Sequence, residues 1–178
     1  MKKILETKNL ILREFVVEDA GALQKILSDK DVMRFSIWGP LDIKGTTIFL
    51  EKTAIESYKK NGYGKWAVIH KDTNTLIGNC GLLDEDIGSN EIKTELGYRL
   101  AKKFWGKGLG TEAARAVRDY AFTILNLDEI VSCIDKENIP SIRVAEKNGM
   151  TFWKDGLLFG QPCQIYRITK NEWERCKK

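Results

Sequence analysis

Trp105-Gly106-Lys107-Gly108-Leu109-Gly110-Thr111-Glu112-Ala113 is the stretch on which the reading of this chain turns. It follows a strand-like run, Ile92 to Leu100, and opens a segment in which Ala113, Val117, Tyr120, Ala121 and Ile124 recur at helical spacing. A strand, a glycine-rich turn and a long helix, from about Thr111 to Leu125, make a device for holding an anion. The glycines remove side chains so that backbone N–H groups can approach a phosphate, and the helix N-terminus adds partial positive charge. Lys107 can add a point charge, and Lys102-Lys103 lie where they can meet further phosphates. The same turn also serves as a plain strand-to-helix connection, so its flanks decide its meaning.

Upstream, Leu10 to Phe15 reads as a first strand, followed by a helix with Asp19 near its start and Leu23, Ile26 and Leu27 on one face. Phe35-Ser36-Ile37-Trp38-Gly39-Pro40 breaks regularity, and a second helix runs from about Asp42 to Lys60, ended by Asn61-Gly62. Lys65 to His70 and Leu76 to Leu83 form a hairpin, and the acidic loop Asp84 to Asn90 leads to the strand before the turn. Downstream, Glu129 to Ile134 is a strand, Pro140 suits the first turn of a helix that closes at Gly149, and Thr151 to Leu158 pairs with Cys163 to Ile168. The order β-α-α-β-β-β-α-β-α-β-β gives an α/β (α+β) chain, a mixed sheet with helices on its faces. No linker or repeat divides it, so residues 1–178 read as a single domain.

The whole chain narrows the function classes. Its 178 residues fit one domain, and 43% apolar with 30% charged residues fit an ordinary core. No apolar run approaches the ~20 residues of a membrane span. Met1-Lys2-Lys3-Ile4-Leu5-Glu6 lacks the sustained apolar segment of a signal peptide, so the expected address is cytoplasmic, away from membranes. The net charge of +4 is scattered, with pairs such as Lys177-Lys178 read as solvated surface, so no direct nucleic-acid binding is expected. Cys80, Cys133, Cys163 and Cys176 are irregularly spaced, which argues against a disulfide framework and for reduced thiols, three of them in apolar, strand-like contexts. A single histidine, His70, rules out a His-rich zinc site and leaves a Ser-His-Asp triad only one choice, at a strand end. No metal is expected.

Two readings of the turn compete. Gly108-Leu109-Gly110-Thr111-Glu112-Ala113 matches the Gly-x-Gly-x-x-Ala dinucleotide fingerprint, and Asp135 could pose as its ribose-binding acid. Only about 65 residues remain after the turn, too few to finish a doubly wound dinucleotide fold, and the residues before it are mostly meander. The run from Glu95 to Ala113 instead resembles the core motif of the GNAT superfamily of N-acetyltransferases, with Trp105 in place of the usual Gln or Arg. Its Trp-Gly-Lys-Gly-x-x-Thr-Glu-Ala form is similar to the branch containing ribosomal-protein N-acetyltransferases. Asn138-Ile139-Pro140-Ser141 through Lys147-Asn148-Gly149-Met150 resembles that branch's Asn-x-x-Ser and Lys-x-Gly-Phe segment, with Met150 for Phe, and Thr7-Lys8-Asn9-Leu10-Ile11-Leu12-Arg13 resembles its opening.

The resemblance implies a mostly antiparallel sheet of about seven strands with helices on both faces, and acetyl-CoA as acetyl donor. It implies that Trp105, Gly106, Lys107, Gly108, Leu109, Gly110 and Thr111 hold the pyrophosphate. The strand around Tyr98, Arg99 and Leu100 then binds the pantetheine amides, and Asn138 and Ser141 meet the cofactor arm. A primary amine, on a protein N-terminus or a small molecule such as a polyamine or antibiotic, attacks directly, so positioning and proton management remain. Glu95, Glu85 and Glu91 are the candidate bases, Glu95 favoured for its strand position unless a bulge turns it away. Many relatives carry Tyr seven residues after the Asn; here Ala145 stands there, which leaves Ser141 to protonate the thiolate or merely to start a helix. Asp84, Glu85 and Asp86 could attract a cationic amine, and Phe35, Trp38, Tyr63, Trp66 and Phe159 are core residues or line the acceptor site. A catalytically silent acyl-CoA-binding module of the same fold is the alternative. A monomer or homodimer is expected.

Overall fold

Consecutive side chains of a strand point to opposite faces, and the fully apolar stretch Trp66-Ala67-Val68-Ile69 shows how this sheet is covered on both. Trp66 and Val68 are buried in one core cluster with Ala113, Val117 and Ala121, whereas Ala67 and Ile69 are buried in another with Leu23, Leu27, Leu50 and Ala54. The computed structural model describes residues 1–175; Cys176 and the Lys177-Lys178 pair lie outside the described residues. The strands are β1 (Lys3–Glu6), β2 (Leu10–Arg13), β3 (Lys65–His70), β4 (Thr75–Asp86), β5 (Ile92–Leu100), β6 (Glu129–Ile134), β7 (Thr151–Leu158) and β8 (Gln161–Thr169). The helices are α1 (Ala20–Leu27), α2 (Ile43–Ile48), α3 (Glu56–Asn61), α4 (Leu109–Thr123), α5 (Ile139–Lys147) and α6 (Lys170–Arg175).

The strands form one sheet in the order β1-β2-β3-β4-β5-β6-β8-β7. Every neighbouring pair is antiparallel except β5 and β6, which run parallel on the single pair Glu95↔Val131. The fold class is as expected, but the sheet has eight strands rather than about seven. The added strand, β1, lies at an edge and is only half covered, so the alternation that marks a buried strand is weak there. The next strand stops at Arg13, short of Phe15, because the Arg13 guanidinium meets both Asp19 carboxylate oxygens at 2.7 Å. Val16 N–H also donates to Asp19 at 3.0 Å, which turns the chain into α1.

The expected helix from Asp42 to Lys60 is interrupted. Asp42 caps α2 by accepting from the Gly45 N–H at 2.7 Å, and Gly62, at φ +77°, closes α3. Between them Phe49–Ile55 is wound as a π-helix, a local expansion common at functional sites. His70 lies at its strand end, with Nδ1 3.1 Å from Thr73 Oγ1 and its ring against Phe104. Cys80 is buried and Cys133 and Cys163 are half-buried, all free thiols.

Candidate active site

The β5–β6 junction begins as a ladder and ends as a gap. After Glu95↔Val131 no further pair joins the strands, and the Ser132 hydroxyl donates to the Leu96 carbonyl at 2.7 Å, a side chain taking over where the backbone ladder stops. Along the rest of β5, Gly97, Tyr98, Arg99 and Leu100 border a cleft of about 1620 Å³ that also reaches Ser132, Cys133 and Ile134 of β6. A single-ligand pocket is usually ~300–1000 Å³, so this cleft has room for two partners.

At one end lies the glycine turn. Gly106 and Gly108 have φ +72° and +76°, a left-handed backbone that disfavours side chains, and a Cβ at either would meet nothing within 4 Å. Gly108 is the N-cap of α4 and offers no side chain to its first turn, so the leading N–H groups face an open cradle. Trp105, Gly106, Gly108, Leu109, Gly110 and Thr111 all border the cleft, each with different surroundings. A Cβ on Gly110 would lie 2.9 Å from Tyr98 Cε2, so the missing side chain here lets α4 pack on β5. The Leu109 side chain is buried in the core, leaving only its backbone for a ligand. The Trp105 indole N–H donates to the Leu100 carbonyl at 2.7 Å, fixing where the turn leaves the strand and occupying one of the groups expected to bind pantetheine. Lys107 lies over the Phe104 ring, while Thr111 is half-buried at the cleft wall. Glu112 turns away, accepting from Thr7 Oγ1 at 2.6 Å, Asn9 N–H at 2.8 Å and Asn9 Nδ2 at 2.7 Å.

Helix α5 forms the opposite wall. Asn138 is its N-cap, its side chain accepting from the Ser141 N–H at 3.3 Å. Ser141 Oγ faces away from that cap and lies 3.5 Å from the Tyr98 phenol oxygen. Burial raises the Tyr98 pKa above its ordinary value, so the phenol keeps its proton. Ala145 and Asn148 follow on the same face of the helix. Asn148 is 2% exposed, borders the cleft, and has neither amide atom hydrogen-bonded among the described residues. A buried amide left in that state is costly, which points to a polar ligand group completing it.

The other end of the cleft lies on the opposite face of the sheet. The register of β4 and β5 is continuous from Gly78↔Leu100 to Asp86↔Ile92, so no bulge intervenes there and Glu95, Gly97 and Arg99 share a face while Tyr98 takes the other. Glu95 is buried and accepts from Lys65 Nζ at 2.9 Å; the ion pair lies across Gly97, where a Cβ would come 2.7 Å from Nζ. Arg99 donates to Ser36 Oγ at 3.3 Å, and burial lowers its pKa. Glu85 has no hydrogen bond or ion pair among the described residues, and its pKa is pushed up to about 7, first by burial and then by the charge of Glu95. The acidic loop is not one cluster: Asp84 accepts from Tyr63, Thr94 and Asn61, and Asp86 accepts from the Gly88 N–H at 2.8 Å. Glu91 pairs with Lys154 and Lys93, away from the cleft. Trp66 is core and Tyr63 serves Asp84, whereas Phe35, Trp38 and Phe159 line the mouth. The roles of Lys65, Tyr98's phenol and Arg99's side chain went unread in the sequence, although strict alternation along β5 separates Tyr98 from Glu95.

The cysteines differ in state: the hydrogen bond with Cys133 lowers the Cys163 thiol from its usual value, against the effect of burial. Cys80 is fully buried with its thiol pushed up to about 12, and the hydrogen bond with Cys163, together with burial, holds the Cys133 thiol well above its usual range. Among the described residues no group of His, Cys, Asp and Glu could hold a metal ion, and no helix is long and apolar enough to cross a membrane.

Residues 9–151 match the acetyltransferase (GNAT) domain family. The chain is 34% identical over 158 residues to the uncharacterized N-acetyltransferase p20 of Bacillus licheniformis, covering 86% of this chain and 84% of that one. It is 28% identical over 136 residues to YdaF of Bacillus subtilis (strain 168), which carries a provisional ribosomal N-acetyltransferase name, covering 68% of this chain and 74% of that one. Among solved structures, the GNAT-family acetyltransferase of Bacillus anthracis superposes with a TM-score of 0.77 at 26% identity, covering 94% of this chain and 98% of that chain. The chain therefore belongs to the GNAT acetyltransferase family.

Proposed function

We propose that the protein is an acetyl-CoA-dependent N-acetyltransferase that passes the acetyl group to a primary amine by direct attack. The observation that carries this reading is a cleft that crosses the sheet where β5 and β6 part, with an anion cradle on one face and carboxylates on the other. The residues fit the donor: Gly106 and Gly108 leave open space before uncapped N–H groups for a pyrophosphate, and the gap beside β5 suits an extended arm carrying amides. Acetyl-CoA supplies an activated thioester. The chain then has to orient it, take a proton from the amine and manage charge on the departing sulfur.

An ammonium has no lone pair, so the acceptor must lose a proton before it attacks. We assign that proton to Glu85 rather than Glu95, because Glu95 is committed to Lys65 while Glu85 is unpaired with a pKa raised to about 7. Glu95 then acts as a positioning residue whose charge keeps Glu85 basic. On the other face, Ser141 and Tyr98 supply the two hydroxyls that can hydrogen-bond the sulfur.

Binding of CoA by calorimetry, and initial-rate turnover of an amine panel, test the reading. Binding without turnover of any amine would make the protein a silent acyl-CoA module. Ser141→Ala and Tyr98→Phe should each lower the single-turnover rate of acetyl transfer by roughly ten- to a thousandfold with little change in CoA affinity. An unchanged single-turnover rate in both variants would remove these hydroxyls from the mechanism.

A further inference from the structure

Phe159 and Gly160 form the tip between β7 and β8, at φ +50° and +77°. A left-handed turn of this kind favours Asn-Gly, and a bulky side chain in its first position is strained. The strain wins no place in the core, because Phe159 is 52% exposed. Its ring packs instead on Trp38, 63% exposed, with centroids 5.7 Å apart at 60°. Trp38 belongs to the irregular segment before α2, so the pair bridges that segment to the hairpin tip across the mouth of the cleft. Strain and solvent exposure of two large rings, both facing the cleft, argue for contact with a ligand.

Charge decides what kind. At this end Asp31 pairs with Lys102, Glu56 with Lys52 and Glu95 with Lys65, and Asp84 is engaged by three neutral donors. Of the described carboxylates that border the cleft, Glu85 is the one shielded from solvent and left without a partner; Glu137 also lacks one but is exposed, as is Asp135, which accepts from the Glu137 N–H. Arg34, Lys60 and Arg99 border the same space with no carboxylate bonded to them among the described residues. One ammonium is therefore welcome at Glu85, and a second would meet positive charge.

We propose that Trp38 and Phe159 form a specificity clamp, and that the acceptor is a small primary amine with one ammonium and an aromatic or branched apolar body. This rests on the acetyltransferase reading and narrows its acceptor. Polyamines and aminoglycosides bring several charges past the rings, and a peptide must thread its chain beneath them.

The test compares phenethylamine with spermidine, kanamycin and a short peptide with a free N-terminus, using the full chain and acetyl-CoA. Phenethylamine should lead by at least about tenfold in kcat/KM, the scale a hydrophobic pocket achieves. Phe159→Gly removes the positive-φ strain, so the fold should melt no lower while KM for phenethylamine rises about fivefold or more and kcat holds. Phe159→Tyr should keep the parent KM, and Trp38→Ala should behave like Phe159→Gly. A polycation or the peptide turned over as well as phenethylamine, or an unchanged KM in Phe159→Gly, overturns the clamp. Should no amine be acetylated, calorimetric binding of phenethylamine to the CoA-bound protein still reads the clamp: binding lost in Phe159→Gly supports it, absent or unaltered binding overturns it. Failure of CoA itself to bind strikes the acetyltransferase reading instead.

Discussion

Glu85 and Glu95 are diagonal neighbours on one face of the sheet, and what separates them is company. Lys65 neutralises Glu95 at 2.9 Å, whereas Glu85 faces burial and a like charge with no donor of its own among the described residues. If Glu85 takes the amine proton, kcat/KM should climb with pH and level off above about 7, as the carboxylate forms. Glu85→Gln should lower the plateau by roughly a hundredfold or more and erase that limb. The stability effect runs the other way. The folded pKa lies above the ordinary 4.5, so the favourable protonated form is fully present below 4.5 and lost as pH rises through about 7. Thermal melts should thus find Glu85→Gln more stable than the parent at alkaline pH and equal to it in acid. A variant that gains nothing at alkaline pH would show that Glu85 is solvated rather than confined. The carboxylates themselves were visible in the sequence, but which of them lacks a cationic partner was not. It depends on Lys65, a partner 30 residues away that no local pattern announces.

Helix α4 begins at Leu109, two residues ahead of the start its apolar spacing suggests, and that small slip reassigns a glycine. Gly108 is the left-handed N-cap in front of open space; Gly110 is inside the first turn, against the Tyr98 ring. Gly108→Ala should cost about 1 kcal/mol in strain and weaken CoA binding measured by calorimetry. Gly110→Ala should show its main loss in the melting temperature, because a methyl 2.9 Å from Tyr98 forces α4 off the sheet. Equal effects of both variants on CoA affinity, with no loss of stability in either, would return Gly110 to the anion site. Patterns of glycine and apolar spacing made the strand–turn–helix unit legible from residues alone. Its exact boundary was not, since helix ends are set by contacts from other elements, here Tyr98 and the Glu112 bonds to Thr7 and Asn9. The π-helical turn at Phe49–Ile55 was hidden for the same reason, its apolar period passing for one continuous helix.

The molecule is a sheet in two parts, β1 to β5 and β6 to β8, joined along the β5–β6 seam by one backbone pair, the Ser132–Leu96 bond and the Lys93–Glu129 ion pair, and beyond it by the Leu157 N–H donating to the Ile87 carbonyl and by Lys154 with Glu91. The order of elements was enough to read the mixed sheet and its covered faces; the width of the gap was not, because a gap is the absence of pairing and leaves no mark on either strand. A ligand that lies in it adds contacts to both parts at once. CoA should raise the melting temperature by an amount that grows with its concentration and slow amide exchange along β5 and β6 together. Protection confined to the α4 turn would mean that the arm lies outside the sheet. The same geometry sets the tempo of turnover. Once the acetyl group has left, the spent carrier still fills the gap and grips the cradle with everything but two carbons of its former cargo. Departure, rather than chemistry, should therefore limit the steady state, and CoA added at the outset should compete with fresh donor for the same empty seam.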